Sequence, residues 1–189
     1  VTYTAPTVAM PTVTAGTPTS AGVVALSGSK ETNSSIWYSL DNGATYKSLV
    51  AAGSSTSWSD TVTLPVGTST IKIISKKTVT VSGESVTLQS EAASVTVTYT
   101  APTVAMPTVT AGTPSATGVV ALSGTRETNS SIWYSLDNGA TYQSLVVSGS
   151  STSWTGDISL PVGSTVVKII AKKTATVSGV STTLVSEAA

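Results

Sequence analysis

Apolar and polar residues alternate in short runs along the whole chain. In Ile36-Trp37-Tyr38-Ser39-Leu40 the alternation is clear, and a period of two is that of a half-buried strand. Asp41-Asn42-Gly43 comes next, residues that tolerate the positive φ of a tight hairpin turn. Thr45 and Tyr46 begin a return strand, so Ser34 to Tyr46 reads as a β-hairpin. A hairpin alone is marginal in water, so flanking strands must cover its apolar face. Val13 lies on a first strand ended by Gly16-Thr17-Pro18, and Val23 to Gly28 reads as a second. Leu49 and Val50 sit on the hairpin's return strand. Trp58 to Leu64 follows, with Val62 and Leu64 on one face. Ile71, Ile73 and Ser75 alternate with Lys72, Ile74 and Lys76, and Thr87 to Tyr99 closes the set as one strand. No window carries apolar residues at helical spacing over three turns. About seven short strands predict an all-β fold, a two-sheet antiparallel sandwich of the Ig-like, fibronectin-III-like kind.

The pattern occurs twice. Val1 matches Val97, Trp37 matches Trp133, Trp58 matches Trp154 and Pro65 matches Pro161, always at an offset of 96. Residues 1–93 align with 97–189 without a gap and with 22 substitutions, and Ser34–Tyr46 recurs letter for letter at Ser130–Tyr142. Such a period marks tandem domains, each large enough for a modest core. Residues 1–7 read as linker and the tail of a preceding strand, 8–100 as the first repeat and 101–189 as the second. Pro6 and Pro11, like Pro102 and Pro107, remove backbone donors and stiffen the joins. Val1-Thr2-Tyr3 repeats Val97-Thr98-Tyr99, the end of the run Ser94-Val95-Thr96-Val97-Thr98-Tyr99. The second repeat is expected to lack that closing strand. Either the sequence is a window on a longer array, or identical subunits join head to tail by strand donation.

Composition narrows the chemistry. With no Cys and no His, thiol nucleophiles, imidazole bases and their metal sites are excluded. Charged residues make up 10% of the chain, against about a quarter in average proteins. Nine basic residues balance nine acidic ones, which leaves no basic footprint for nucleic acid. No apolar run approaches the roughly 20 residues of a membrane span. The acids Glu31, Asp41, Asp60, Glu84 and Glu91 are scattered, and Asp60 and Glu84 become Gly156 and Val180. Calcium needs clustered oxygens, so no metal and no cofactor is expected, and no catalytic residue is assigned.

The order Ile36–Gly43, Leu64-Pro65-Val66-Gly67, Ile71–Lys76, Ser90-Glu91 and Val95–Tyr99 resembles the chitobiase/β-hexosaminidase C-terminal-type Ig-like domains, which recur as tandem modules of bacterial surface and secreted proteins. The resemblance covers most of each repeat. Ala44-Thr45-Tyr46 stands where that family usually has a Thr-Pro segment. It implies an Ig-like spacer or adhesive module and carries over no catalytic residue.

Several side chains are weighed individually. Trp37 and Trp133 read as core tryptophans. Trp58 and Trp154 follow Ser/Gly loops and read as partly exposed glycan-contact candidates, core or edge packing being the ordinary alternative. Asn33 and Asn129 begin N-x-S glycosylation patterns. Asp41, Asn42 and Gly43, with Asp137, Asn138 and Gly139, read as hairpin turns. Lys72, Asn33 and Glu31, kept as Lys168, Asn129 and Glu127, are the residue types of an isopeptide bond, though an exposed strand lysine is the plainer reading. Together these features predict a structural repeat segment of an extracellular surface protein: a stalk, spacer or filament-forming, adhesin-like module. Its expected partners are neighbouring repeats or identical subunits head to tail. The alternative is a glycan-binding module that holds surface glycans.

Overall fold

In the first repeat, residues of alternating polarity form eight strands: β1 (Thr14–Ala15), β2 (Val23–Ser29), β3 (Ser35–Ser39), β4 (Lys47–Val50), β5 (Ser57–Thr63), β6 (Gly67–Val81), β7 (Glu84–Gln89) and β8 (Ala93–Tyr99). The computed structural model describes residues 4–189, so the strand tail expected at Val1-Thr2-Tyr3 lies outside the described residues. The chain divides into two compact units, one made mostly of residues up to Ala101 and one of residues from Pro102 onward. In the first, one sheet has the order β1-β2-β5 and the other β4-β3-β6-β7, with β8 also on β6. All pairs are antiparallel. Two such sheets face to face are a fibronectin-III-like sandwich, and no helix occurs among the described residues.

Strand parity builds the core. Val24 and Leu26 of β2, Ile36 of β3, Trp58 and Val62 of β5, Leu64 just after β5, Ile71 and Ile73 of β6, and Val97 and Tyr99 of β8 gather between the sheets. Their neighbours in sequence point the other way, as a pleated strand requires. The hydroxyl of Tyr99 donates to Ser20 O at 2.8 Å, which satisfies the polar tip of an otherwise apolar side chain.

The closing strand departs from the sequence reading. Thr87–Tyr99 was expected to run unbroken, but it divides into β7 and β8. Val81–Lys76 of β6 pairs with Glu84–Gln89, and Gly67–Ile73 pairs with Tyr99–Ala93. At the break Ser90 N donates to Ser75 O at 3.0 Å, and Ser75 N donates to Ser90 Oγ at 2.9 Å. A side-chain oxygen there replaces one backbone acceptor and frees the strand to restart.

Between β2 and β3 runs the polar stretch Lys30-Glu31-Thr32-Asn33. Lys30 is nevertheless buried. Its Nζ donates to Ser34 O at 2.9 Å and Gly53 O at 3.0 Å. A buried ammonium is tolerated when its donors are satisfied, and here it ties the β2–β3 loop to the loop after β4.

The second unit follows the same plan with β9 (Thr110–Ala111), β10 (Val119–Thr125), β11 (Ser131–Ser135), β12 (Gln143–Val146), β13 (Ser153–Ser159), β14 (Lys168–Val177) and β15 (Val180–Val185). Its sheets have the orders β13-β10-β9 and β12-β11-β14-β15. Val104, Val120, Leu122, Ile132, Trp154, Ile158, Ile169 and Ala171 form its core. Arg126 takes the place of Lys30. Its guanidinium donates to Ser130 O and Val147 O, each at 2.7 Å, and to Ser151 O at 3.2 Å. Ser130 is the counterpart of Ser34, while Val147 O and Ser151 O stand in for the Gly53 carbonyl that Lys30 uses.

One core atom distinguishes the units. Ser75 Oγ is fully buried and has no hydrogen-bond partner, and the matching residue of the second repeat is Ala171. An unsatisfied buried hydroxyl costs about 1–3 kcal/mol. Ser75→Ala is therefore expected to stabilise the first unit by about 1 kcal/mol, a rise in Tm of about 4–8 °C for a domain of this size. Thermal unfolding of the variant beside the parent checks this, and an unchanged or lower Tm would refute it.

Candidate functional site

The outer face of the sheet containing β3 carries the exposed aromatic chemistry. On β3, Ile36 takes the core position, so Ser35 and Trp37 point outward. Trp37 is half-buried rather than a core residue, which corrects the sequence expectation. The reason is parity: Ile36 and Trp37 are adjacent, and only one of them can face the core. Trp37 lies opposite Ile74 of β6 in the ladder, and Ile74 is 1% exposed although it belongs to no core cluster. The ammonium of Lys76 stands 4.0 Å from the Trp37 ring centroid, a cation–π contact worth about 0.5–1 kcal/mol at an exposed site. Trp37 Nε1 donates to Ser35 Oγ at 2.9 Å.

The second unit repeats the arrangement. Trp133 is opposite Ile170, Lys172 stands 3.8 Å from its ring centroid, and Trp133 Nε1 donates to Ser131 Oγ at 2.9 Å. A shallow groove of about 340 Å³ lies beside it, lined by Asn129, Ser131, Trp133, Lys172, Lys173 and Thr183 among others.

Of the two readings of Trp58 and Trp154, the structure shows core packing and not the glycan contact. They are 4% and 3% exposed and belong to the two cores, so neither ring is open to a glycan. Trp58 Nε1 donates to Thr12 O and Ser29 O, both at 3.2 Å, and Trp154 Nε1 donates to Thr125 O at 3.2 Å. Internal carbonyls satisfy the indole N–H, which removes the usual reason for a tryptophan to stay at the surface. Gly28 makes the fit: a Cβ there would sit 1.9 Å from Thr12 O and 2.9 Å from Trp58 Nε1.

The hairpin turn is closed by its own polar groups. Asn42 and Gly43 have φ of 62° and 93°. Ser39 Oγ donates to Asp41 Oδ1 at 2.6 Å and accepts from Gly43 N at 2.8 Å. Thr45 donates to Asp41 through both its N–H and its hydroxyl, and Lys72 Nζ donates to Asn42 O at 3.0 Å. Asp137, Asn138 and Gly139 repeat this geometry, with φ of 61° and 94° at the last two. The Ser39 hydroxyl, then the Thr45 hydroxyl and N–H, hold the Asp41 carboxyl well below the usual carboxylate range, and Asp137 follows for the same reasons. These carboxylates are occupied within their own loops.

Glu31 links three segments. It pairs with Lys77 and accepts from Ala9 N at 3.1 Å. The Lys77 hydrogen bond and then the Ala9 N–H lower its pKa, and Glu127 is lowered likewise by Lys173 and Ala105. Lys72 is held on the turn carbonyl while Glu31 is held by Lys77, so the structure does not assemble Lys72, Asn33 and Glu31. Asn33 and Asn129 are exposed, with φ of 61° and 60°. Among the described residues no three His, Cys, Asp or Glu side chains gather for a metal, and no helix is long and apolar enough to cross a membrane. Sequence reasoning missed the buried cation. Its only signal was the retention of positive charge between Lys30 and Arg126 while the preceding residue changed from Ser29 to Thr125.

No family model and no curated protein matches the chain. Among solved structures it is similar to the human OSCAR ligand-binding domain, at 12% identity and a TM-score of 0.36, covering 97% of this chain and 99% of that one. It is also similar to the FN1-FN3 domains of chicken CNTN1, at 15% identity and 0.32, covering 97% and 69%. A two-domain fibronectin type-III segment of chicken tenascin matches at 15% identity and 0.34, covering 95% of each chain. At such low scores the fold assignment rests on the sheet order itself: two tandem fibronectin-III-like sandwiches.

Replacing Asn42-Gly43 by Val-Val is expected to destabilise the first unit by a few kcal/mol, since β-branched residues resist positive φ. Chemical denaturation measures it, and a loss under about 0.5 kcal/mol would contradict the assigned turn.

The four lowered carboxylates set the pH response. Their folded pKa values lie below the unfolded ones, so their stabilisation is complete above about pH 5. It is lost as pH falls from the ordinary carboxylate range toward the folded values. With no His, stability should be nearly flat from about pH 5 to 8 and decline below about pH 4. Melting curves at half-unit pH steps test both limbs, and a decline that began above pH 5 would point to a different titrating group.

Proposed function

We propose that the chain is a structural repeat segment of an extracellular surface protein, serving as a stalk or spacer. The carrying observation is that both copies retain the same self-saturated hairpin and the same buried-cation clamp at an offset of 96 residues. Their polar groups are spent on holding loops to the sandwich, as suits a rigid bead in a series. The absence of Cys and the low charge agree with a neutral, Thr/Ser-rich surface module, and nothing in this role calls for catalysis.

A second reading has its own observation. Trp133 is half-exposed beside a groove lined with hydroxyl, amide and ammonium groups, the chemistry that meets sugars through ring stacking and hydrogen bonds. In this reading the candidate contacts are Trp133 and its counterpart Trp37, not Trp58 and Trp154.

A broad glycan array separates the two. The spacer reading expects no binding by the intact chain. Binding that disappears in Trp37→Ala/Trp133→Ala would replace it with the lectin-like reading. Pulling single molecules gives the positive test. Two unfolding steps are expected, each releasing roughly a repeat's length of chain at no more than about 3.6 Å per residue. Gradual extension without steps would refute a chain of rigid beads.

A further inference from the structure

Every asparagine in the chain stands in the same setting. Asn33, Asn42, Asn129 and Asn138 are the four asparagines of the sequence. Their φ values of 61°, 62°, 60° and 61° are all left-handed. Each is exposed, and each is followed by Ser or Gly. Asparagine is a thermolabile residue, and an Asn-Gly bond is its most labile context, because no side chain hinders the next amide nitrogen. In the reaction at Asn42 the Gly43 N–H gives its proton to water or hydroxide. The nitrogen then attacks the Asn42 side-chain carbonyl carbon, the Cγ–Nδ2 bond breaks and ammonia leaves. The five-membered succinimide takes up one water and opens to aspartate or isoaspartate. Closure needs a free amide nitrogen and a peptide plane that can turn toward its own side chain.

The fold withholds both. Gly43 N donates to Ser39 Oγ, and Gly139 N to Ser135 Oγ, each at 2.8 Å. At the other end of the same peptide units, Lys72 Nζ donates to Asn42 O and Lys168 Nζ to Asn138 O, each at 3.0 Å. The two serines are each 2% exposed, so the acceptors are fixed in the protein rather than mobile at its surface. Each hydroxyl gives its own hydrogen to the turn aspartate at 2.6 Å, which leaves its lone pairs to the glycine amide. At the Asn-Ser bonds the hold is longer and comes from the backbone: Ser34 N donates to Glu31 O and Ser130 N to Glu127 O, each at 3.2 Å.

We infer that Asn42 and Asn138 are latent deamidation sites, and that the Ser39 and Ser135 hydroxyls keep them intact by occupying the attacking nitrogen. Conversion would set a new carboxylate beside Asp41 or Asp137, or add a methylene to the backbone of a turn that depends on its φ values. The inference goes beyond the spacer reading and does not depend on it.

The test incubates the full 189-residue chain at mildly alkaline pH and follows each asparagine by peptide mass spectrometry with isoaspartate detection. Asn42 and Asn138 are expected to react at least about tenfold more slowly in the folded chain than in the same chain held unfolded in denaturant. Ser39→Ala should speed the reaction at Asn42 by about two- to tenfold, the range that one hydrogen bond controls. Asn33 in the same unit and Asn138 in the other should keep their rates. Ser135→Ala is the mirror variant and should speed Asn138 alone. Thr45→Val removes a different hydroxyl from Asp41 and leaves Ser39 in place, so the rate at Asn42 should stay that of the parent. Equal rates in the folded and unfolded chain, no acceleration in either serine variant, acceleration shared by Asn33, or equal acceleration by Thr45→Val would each overturn the inference.

Discussion

Ile71 and Ile73 lie on the inner face of β6, and the ladders of that one strand place most of the first unit. On one edge β6 holds β3, which carries the hairpin. On the other it holds β7 and then β8, and β8 supplies Val97 and Tyr99 to the core. A residue's position on β6 therefore decides both its partner and its face. The interruption at Ser90 belongs to the same constraint. It lets two separate strands share one edge of β6 while Ser75 N stays satisfied by a hydroxyl.

The loops are fixed by a different means. Lys30 and Arg126 carry charge into poorly solvated positions and spend it on carbonyl groups rather than on a carboxylate. Neutral acceptors offer less Coulomb attraction than an ion pair would, but they belong to two separate loops, so one side chain ties both. The Glu31–Lys77 pair extends the tie to Ala9. Rigidity at this end of the sandwich comes from a few long side chains rather than from regular structure.

The two units keep the same hairpin and turn chemistry. In the first, Leu64 shares one core cluster with Val97 and Tyr99 of β8, which lie far from it in sequence. Long-range pairing, not local propensity, closes this edge.

The sequence by itself determined the all-β class, the two repeats, the absence of thiol and imidazole chemistry, and the hairpin turn. These follow from local facts: a period of two, an exact offset, composition, and an Asp-Asn-Gly text whose backbone preference needs no partner. Only the tertiary structure decided which tryptophan lies inside. Trp37 and Trp58 both sit on plausible strands, and the sequence does not say which neighbour has taken the inner position. Ile36 takes it on β3, which sends Trp37 outward, while the bare Gly28 of β2 and two waiting carbonyls draw Trp58 of β5 in. The fate of Lys30 was hidden for the same reason: its acceptors come from Ser34 and Gly53, and only the folded chain brings those two carbonyls to one point.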